Sequence, residues 1–340
     1  MQQEIRTVLD CLLQRQPVDA ESISAAIGAV MDARCQEVET ASLLTALAIS
    51  GETGQILSGA AAAMRARATR IPTRRTDLLD TCGTGGDRMR TFNISTAAAF
   101  VIAAAGVAVA KHGNRSASSS SGSADVLEAL GVRIDIPADQ AGRCLDELGI
   151  SFCYARTFHT AMKHVAPVRQ QLGFRTIFNL LGPLTNPAGA EYQLIGVSNN
   201  ATAAMIAGAI SQLKMRRALV VCGNNELDEV SLWGTTRVWD VTPSAVQETS
   251  WTAASFGLPE CRTEDLTISS SQDSAKIIQE ILEGRAGPCR DIVVANAAAG
   301  LFCHGKADTP AAGVSLATAA IDSGQAQALL HRLVDWTRSC

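Results

Sequence analysis

The chain has 340 residues, of which 47% are hydrophobic and 4% aromatic, and its 29 basic and 33 acidic residues leave a formal net charge of −4. This apolar content excludes a mainly disordered chain and a small disulfide-held scaffold, and the length suffices for one large domain plus a smaller one. Because the net charge is small and negative, bulk attraction to nucleic acid or anionic lipid is not expected.

The ten cysteines are widely and irregularly spaced, without a Cys-x-x-Cys pair or a Cys/His cluster. They predict reduced thiols rather than a zinc site or a disulfide framework. The N-terminal residues show no basic flank followed by an apolar run, so they do not predict a signal peptide. The longest apolar segment, 97–110, contains Gly106 and falls short of the ~18 to 20 residues of a membrane span. We expect a cytoplasmic protein.

Residues 1–70 show a helical pattern and no strand candidate. Apolar side chains recur at helical spacing in three stretches, 5–12, 23–30 and 43–49. The segment 71–76 contains a proline and mostly polar residues, so it predicts a connector. We therefore predict a helical domain over 1–70 and a second domain over 71–340.

Beyond the connector, short apolar strands alternate with helices. The predicted strands are 77–82, 107–110, 194–197, 218–221 and 291–294, and the clearest helices are Thr96 to Ala105, closed by Gly106, and about Ser123 to Leu130. Such alternation is typical of parallel sheets. The predicted fold class is α/β, with a small all-helical N-terminal domain and a larger α/β domain that has a mostly parallel central sheet.

A glycine-rich loop, Gly83-Thr84-Gly85-Gly86-Asp87, follows the first predicted strand, and Asn93-Ile94-Ser95-Thr96 opens the next helix. Three glycines let backbone N–H groups approach a ligand, and a helix N-terminus adds positive partial charge, so the pair suits a phosphate or pyrophosphate. The loop is neither a P-loop nor a dinucleotide fingerprint. Taken alone, a tight turn before an ordinary helix cap explains it equally well.

A second polar loop, Lys111-His112-Gly113-Asn114-Arg115-Ser116-Ala117-Ser118-Ser119, also lies between a strand and a helix. Its cations and hydroxyls are anion donors, and parallel strands end on one side of a sheet, so it is expected beside the glycine-rich loop. A solvated polar loop is the alternative for one such segment. Two such loops in successive strand–helix units favour a phosphate site.

An acidic segment, Asn224-Asn225-Glu226-Leu227-Asp228-Glu229, follows the strand at 218–221. Adjacent carboxylates would weaken phosphate binding unless a cation lay between them and the ligand. Mg²⁺ takes oxygen ligands and bridges carboxylates to phosphates. We therefore favour a magnesium site over a solvated acidic turn.

Arg169 and the loop 182–187, which has two prolines, complete the candidate features. The planar fork of arginine suits a carboxylate, so Arg169 is a candidate to hold a carboxylated substrate, with a solvated surface group as the alternative. His112 and His159 are expected to have packed or surface roles. These patterns predict a magnesium-assisted site for a phosphorylated, in particular a pyrophosphorylated, small molecule.

Seven motifs, in order along the chain, resemble the anthranilate phosphoribosyltransferase family. They are Gly-Thr-Gly-Gly-Asp at 83–87, Thr-Phe-Asn-Ile-Ser-Thr at 91–96, Lys-His-Gly-Asn-Arg from 111, Ser-Gly-Ser-Ala-Asp at 121–125, Lys-His-Val-Ala-Pro-Val-Arg at 163–169, Asn-Leu-Leu-Gly-Pro-Leu-Thr-Asn-Pro at 179–187 and Leu-Asp-Glu at 227–229. Any one motif could match by chance, whereas the seven in register make a specific resemblance.

The resemblance implies the fold shared with pyrimidine nucleoside phosphorylases, a homodimer formed through the helical domains, and a segment, about 165–190, that returns to the helical domain. It implies that phosphoribosyl pyrophosphate (PRPP) contacts Gly83, Gly86, Asp87, Thr91, Asn93, Ile94, Ser95, Thr96, Lys111, His112, Gly113, Asn114, Arg115, Ser118, Ser119 and Ser123. It also implies that anthranilate contacts Gly83, Asn114, His159 and Arg169, and that Ser95, Asp228 and Glu229 hold Mg²⁺. Many family members have a tyrosine where this chain has Met162, which leaves the outer anthranilate path open.

The implied reaction belongs to tryptophan biosynthesis. The amine of anthranilate attacks the anomeric carbon of PRPP, and N-(5-phosphoribosyl)anthranilate and pyrophosphate form. Negative charge grows on the leaving group, so catalysis depends on neutralising that charge and on aligning the substrates. An arylamine is already neutral near pH 7, and we assign no single catalytic acid or base.

Two alternatives use the same fold, a pyrimidine nucleoside phosphorylase and a non-catalytic nucleic-acid-binding relative. Asp228 and Glu229 count against the phosphorylase because a metal-independent phosphate site does not need adjacent carboxylates. The net charge of −4 and the acidic pair beside the basic loop count against nucleic acid. The expected partners are therefore PRPP and anthranilate, with no nucleic acid and no membrane.

Overall fold

N-terminal helices are followed by a sheet with helices on both faces. The computed structural model describes residues 1–87, 89–116 and 121–340. Its α-helices are α1 (Gln3–Leu13), α2 (Ala20–Met31), α3 (Glu37–Ser50), α4 (Gly54–Arg67), α5 (Ile94–Ala104), α6 (Ser123–Ala129), α7 (Ala138–Leu148), α8 (Ala155–Phe158), α9 (Ala166–Leu172), α10 (Asn200–Ile210), α11 (Ala253–Phe256), α12 (Ser271–Leu282), α13 (Pro288–His304), α14 (Pro310–Asp322) and α15 (Gln325–Arg338). Its strands are β1 (Leu79–Asp80), β2 (Val109–Gly113), β3 (Ile150–Tyr154), β4 (Tyr192–Gly196), β5 (Arg217–Gly223), β6 (Thr236–Val241) and β7 (Val246–Trp251).

The N-terminal helices α1 to α4 follow from apolar periodicity and local capping. The carboxylate of Asp19 accepts a hydrogen bond from the N–H of Ser22, which fixes the start of α2. The recurring apolar side chains point into a common core, where Ile5, Ile27 and Leu44 are fully buried. The prediction of a helical region without strands is confirmed.

The sheet has the order β3-β2-β1-β4-β5-β6-β7 among the described residues. Neighbours from β3 through β5 pair in parallel, whereas β6 and β7 pair antiparallel at one edge. The predicted mostly parallel sheet is confirmed, but β3, β6 and β7 were not predicted. Five of the six residues of β7 are exposed, so this edge strand carries no apolar run that a sequence pattern detects.

Alternate residues along β5 divide between two hydrophobic cores. Leu219 and Val221 face the core that α5, α6 and the C-terminal helices cover. Val220 and Cys222 face the other core, which α10 and the N-terminal helices share. This two-residue alternation is what a strand covered on both faces requires, and it accounts for the continuous apolar run in the sequence.

The prediction of a strand at 291–294 is wrong, because these residues belong to α13. Pro288 occupies the first turn, where its missing N–H costs no hydrogen bond, and the apolar run continues through small residues to Leu301. The helix packs against α5 and α14, and Ala295 to Leu301 are all buried. A four-residue apolar run fits a buried strand and a buried helix equally well, so periodicity alone does not separate them.

The stretch between β3 and β4 packs against the N-terminal helices. Val165, Val168, Ile177 and Leu181 are buried in the same core as the apolar faces of α1 to α4. Its short helix α9 and the 3₁₀ turn Ile177–Asn179 both contact α3. This stretch and helices α1 to α4 therefore form one packed unit, the helical side of the molecule.

The ten cysteines form no disulfide in the structure, and five of them are buried. In the part of the chain that the structure describes, no helix combines the length and the apolar character needed to span a membrane.

We predict that Gly59→Ala lowers the free energy of unfolding by about 1–3 kcal/mol, because a Cβ on Gly59 would overlap the carbonyl oxygen of Ala20 where α4 crosses α2. Gly208→Ala in α10 is the matched control, because its Cβ would meet no atom within 4 Å. Helix propensity should make that variant more stable by up to about 1 kcal/mol. Urea unfolding measures both changes, and equal shifts would contradict the close packing of α2 and α4.

Candidate functional site

A cleft of about 400 Å³ opens at the carboxyl ends of the parallel strands, between the sheet and the stretch from α9 to residue 183. Its volume is typical of small-molecule sites, and the edge of the sheet is where α/β folds bind ligands. The predicted site residues that line it are Gly83, Gly86, Asp87, Thr91, Asn93, Ile94, Ser95, Lys111, His112, Gly113, Asn114, Arg115, Ser123, Arg169, Asp228 and Glu229. Ser118 and Ser119 lie outside the described residues.

The glycine-rich loop follows β1 and passes close to residues 224–229, the acidic turn after β5. A Cβ on Gly83 would lie 3.2 Å from Oδ2 of Asp228, which is closer than most side chains tolerate. Gly85 and Gly86 have φ angles of +67° and +82°, a conformation that glycine adopts without steric cost. The glycines therefore serve both the close approach and the tight turn.

The N-terminus of α5 meets the acidic turn at Ser95. The N–H of Ser95 donates to Oε1 of Glu229 at 3.0 Å. The buried ammonium group of Lys111 donates to the carbonyl oxygen of Thr81 at 3.0 Å and to Oγ of Ser95 at 3.4 Å. A helix N-terminus and a buried cation thus lie beside one carboxylate, where they favour its ionised form.

Asp228 and Glu229 form a pair of adjacent, partly buried carboxylates on the cleft wall. Burial raises the pKa of Glu229 to about 7, although Lys111 and Ser95 oppose the rise. Burial raises the pKa of Asp228 well above its ordinary range, and the nearby charges of Asp87 and Glu229 add to the rise. The arrangement is unfavourable for two negative charges unless a cation joins them.

Asn296 on α13 holds the backbone that follows this acidic pair. Its fully buried amide accepts from the N–H of Val230 at 2.9 Å and donates to the carbonyl oxygens of Val230 and Ile292. Sequence reasoning missed this residue because it assigned part of the surrounding segment to a strand. An asparagine within an otherwise small and apolar run was the available signal.

The donor set at the acidic turn fits Mg²⁺. Across residues 1–87, 89–116 and 121–340, no Lys or Arg forms an ion pair with Asp228 or Glu229. No group of three or more His, Cys, Asp or Glu side chains in these same ranges is spaced to hold a metal ion by itself. Two carboxylates with the hydroxyl of Ser95 leave positions for water and phosphate oxygens, which is how Mg²⁺ is commonly bound.

A buried hydrogen-bond network supports the second loop from below. Oδ1 of Asp80 accepts from the N–H of His112 at 2.9 Å, and its Oδ2 accepts from the amide of Asn186 at 2.8 Å. Burial raises the pKa of Asp80 to about 6 against the opposing effect of these hydrogen bonds. Nδ1 of His112 lies 2.9 Å from the carbonyl oxygen of Gly182 and therefore carries the proton. The network ties the end of β2 to the loop with two prolines.

Arg115 lines the cleft but is already paired. Its guanidinium group forms hydrogen bonds to both oxygens of Glu128, at 2.6 and 2.8 Å, and to Asp125 at 3.0 Å. A substrate phosphate would therefore share this cation with two carboxylates. Asn114 and Ser123 line the same part of the cleft.

Arg169 lies on the opposite wall, on α9. Its guanidinium group is positioned over the ring of Phe178, 5.7 Å from the centroid, and donates to Oδ1 of Asn179 at 3.2 Å. Burial lowers the pKa of Arg169, and the cation forms no ion pair within the described ranges. Phe178 offers an apolar ring beside this charge, a combination that suits an aromatic carboxylate.

His159 and Thr96 lie behind the cleft wall rather than on it. The buried ring of His159 packs edge-on against His112, with 5.1 Å between the ring centroids. Thr96 is buried in α5. Met162 is partly buried against the core of the helical side. Arg90 and Arg175, which sequence reasoning did not select, do line the cleft.

The chain matches known proteins over almost its whole length. Residues 75–327 match the glycosyl transferase family, a/b domain, and residues 6–68 match the glycosyl transferase family, helical bundle domain. The anthranilate phosphoribosyltransferase of Desulforudis audaxviator is 45% identical over 336 residues, which cover 99% of this chain and 97% of that protein.

Solved structures agree with the sequence comparison. The anthranilate phosphoribosyltransferase of Thermus thermophilus has a TM-score of 0.91 and 42% identity, covering 97% of this chain and 99% of its own. The enzyme from Saccharomyces cerevisiae in complex with PRPP and Mg has a TM-score of 0.91 and 26% identity, covering 100% and 99%.

We predict that the buried histidines make the protein less stable as the pH falls. Burial lowers the pKa of His112 to about 4 and that of His159 to about 3, whereas the unfolded chain takes up protons below about pH 6.5. Each histidine should therefore lower the free energy of unfolding by about 1 kcal/mol between pH 7 and pH 5.5. His159→Phe keeps a ring at this position and should reduce the loss by that amount.

Urea unfolding of both proteins at pH 8, 7 and 5.5 measures this difference. Between pH 8 and pH 7 the difference in the free energy of unfolding between the two proteins should stay nearly constant, and this range serves as the internal control. If the free energy of unfolding fell equally in wild type and in His159→Phe between pH 7 and pH 5.5, His159 would take up a proton in the folded protein as it does in the unfolded chain.

Proposed function

Because this chain belongs to the anthranilate phosphoribosyltransferases of the glycosyl transferase family, we propose that its cleft transfers the phosphoribosyl group of PRPP to the amine of anthranilate. The products are N-(5-phosphoribosyl)anthranilate and pyrophosphate, and the reaction serves tryptophan biosynthesis. The chain is accordingly a pentosyltransferase.

The convergence of three loops in one cleft carries this proposal. The glycine-rich loop, the loop after β2 and the acidic turn after β5 are far apart in the chain but line the same space. The first two supply backbone and cationic donors for phosphates, and the third supplies carboxylates for a metal. A pyrophosphorylated substrate with its metal needs both kinds of group at once.

Ser95, Asp228 and Glu229 are the residues that would hold Mg²⁺, as their donor chemistry supports. The ion supplies neutralisation of the negative charge that develops on the departing pyrophosphate. Lys111 and the N-terminus of α5 add fixed positive charge beside Glu229, and these groups need no reorganisation during the reaction.

PRPP is proposed to lie along the glycine-rich loop, the start of α5 and the loop after β2. Gly83 lies beside Asp228, and this proximity supports a position of the pyrophosphate end along the glycine-rich loop. The remaining donors, including Asn93, Asn114 and Ser123, then surround the ribose and its phosphate. Thr96, Ser118 and Ser119 stay predictions from the resemblance.

Anthranilate is proposed to bind on the opposite wall. The guanidinium group of Arg169 would hold its carboxylate, and the ring of Phe178 offers an apolar surface for the aromatic ring. Asn114 and Gly83 line the space between this wall and the PRPP donors. His159 would act only through His112, because its ring lies behind that residue.

The chemical step follows from this placement. The amine nitrogen forms a bond to the anomeric carbon while the bond from that carbon to pyrophosphate breaks, and the electron pair leaves with pyrophosphate. The amine proton is lost after attack. The protein contributes alignment of the two substrates and stabilisation of the leaving group, so no side chain is needed as a strong base.

The proposed function predicts that anthranilate fluorescence falls when the protein is mixed with PRPP, anthranilate and Mg²⁺. Asp228→Asn combined with Glu229→Gln should lower the rate by about 10²-fold or more and remove its dependence on magnesium, because the metal-binding carboxylates are gone. Glu226→Gln is the matched control, because this exposed residue in the same turn does not line the cleft.

Two results would contradict this proposal. Wild-type protein that consumes no anthranilate at saturating magnesium would exclude the reaction, and phosphorolysis of thymidine or uridine would then favour the nucleoside phosphorylase. An unchanged magnesium titration in the double variant would remove the acidic pair from the site.

The quaternary organisation is a further part of the proposal. We propose that residues 1–70 with about 165–190 form one domain and 71–340 the other, and that two copies associate through their helical domains. Leu13, Val38 and Ile49 are exposed, by 81%, 65% and 82%, although they are large and apolar. Val38 and Ile49 lie eleven residues apart on α3, about three helical turns, so they share a face that a second copy would cover.

Analytical ultracentrifugation tests this association. Wild-type protein should sediment at twice the chain mass of 35.6 kDa, and Ile49→Glu should shift it toward the monomer because a charge would be buried in the interface. Val246→Glu is the control, since Val246 is exposed at the far edge of the sheet. A monomeric wild-type protein would contradict the proposed dimer.

We also propose a cytoplasmic location. The ten free thiols suit a reducing compartment, and the described helices include none that could span a membrane.

A further inference from the structure

The guanidinium group of Arg175 lies against the glycine-rich loop at the cleft. A Cβ on Gly86 would lie only 2.5 Å from Nη2 of Arg175 and 3.4 Å from its Cζ. The group therefore occupies the space that any side chain at position 86 would need. Gly86 also has φ +82°, and this backbone conformation is the reason that favours glycine here.

Arg175 reaches this loop from the opposite wall of the cleft. It follows Gly173, which ends α9 with φ +68°, and precedes the 3₁₀ turn Ile177–Asn179. That turn is fixed at its start by a 3.0 Å hydrogen bond from the N–H of Thr176 to Oδ1 of Asn179, and Ile177 is buried in the core of the helical side. The contact between Arg175 and Gly86 thus joins the two walls.

The guanidinium group of Arg175 faces the cleft without a carboxylate partner among the described residues. Among the residues that the structure describes, it forms neither an ion pair nor a side-chain hydrogen bond, and it is exposed to the cleft. Arg115 contrasts with it, because Glu128 and Asp125 already engage that guanidinium group. An arginine fork that is positioned but unpaired suits an anionic ligand with several oxygens.

The position of the loop identifies which anion fits. Gly83, three residues before Gly86, lies beside Asp228, so this end of the cleft is where the metal-binding carboxylates are. Resting on the proposed function, we propose that Arg175 binds the pyrophosphate group of PRPP and holds the glycine-rich loop against it. Arg169, on the same wall, lies against Phe178 and is left to the carboxylate of anthranilate.

The test compares Arg175→Ala with wild-type protein by calorimetric titration of pyrophosphate with Mg²⁺, and by steady-state kinetics. The dissociation constant of pyrophosphate and the KM for PRPP should rise about ten- to hundredfold, the usual range for loss of a charge-assisted, bidentate contact. The KM for anthranilate should change less than about twofold. Arg175→Lys should recover only part of the affinity, because it keeps the charge and loses the planar fork.

Two further variants make the comparison specific. Arg169→Ala should raise the KM for anthranilate and leave pyrophosphate binding unchanged. Arg332→Ala removes an exposed arginine from α15, no residue of which lines the cleft, and should alter neither. Because Arg175 is exposed, its loss should leave the thermal unfolding temperature near that of wild type, which confirms that the variant is folded.

The outcomes separate this inference from the proposed function. Wild-type turnover of PRPP and anthranilate together with unchanged pyrophosphate binding in Arg175→Ala would overturn only the role of Arg175. A variant that loses anthranilate affinity but keeps pyrophosphate affinity would also overturn it. A wild-type protein that binds magnesium pyrophosphate but does not use anthranilate would contradict the proposed function, and the binding comparison would still decide the role of Arg175.

Discussion

Asp228 and Glu229 place two carboxylates side by side in the turn after β5. Their negative charges must be compensated, and the rest of the cleft is arranged around that need. Burial raises the pKa of both groups, the charge of Asp87 adds to each rise, and Glu229 adds further to that of Asp228, so the ionised pair is unfavourable in the protein alone. The N–H of Ser95 and the ammonium group of Lys111 favour the ionised form only in part. A divalent cation bound together with an anionic substrate would compensate these negative charges.

The fold brings groups of both charges together because its parallel strands all end at one edge of the sheet. The loops after β1, β2 and β5 reach the same space, although they are well separated in the chain. Buried polar groups then fix each loop, with Asp80 beneath the loop after β2 and Asn296 beneath the acidic turn. The helical side supplies the opposite wall, so substrate alignment depends on how that wall lies over the sheet.

The sequence was sufficient to predict the features whose cause is local. Glycines with hydroxyls and cations after a strand, and adjacent acids after another, indicated the phosphate and metal groups, and these residues do line one cleft. The strand prediction at 291–294 failed because its apolar run suits either structure, and only packing against α5 and α14 decides for a helix. The same wrong strand prediction explains why the role of Asn296 in α13 was not predicted.

Other residues escaped prediction because their roles depend on distant contacts. Arg175 stands in an unremarkable segment, and only its approach to Gly86, 89 positions earlier, distinguishes it from a surface arginine. His159 is the opposite case. The resemblance implied a contact with substrate, whereas in the folded chain its ring packs behind His112.

Asp228 and Glu229 are proposed to form a metal site that is shared with the pyrophosphate group. Anomalous X-ray diffraction from crystals grown with PRPP and Mn²⁺, as an electron-rich substitute for Mg²⁺, tests it most directly. An anomalous peak is expected at about 2.1 Å from oxygens of both the acidic pair and the pyrophosphate. PRPP bound along the glycine-rich loop with no peak at these carboxylates would contradict it.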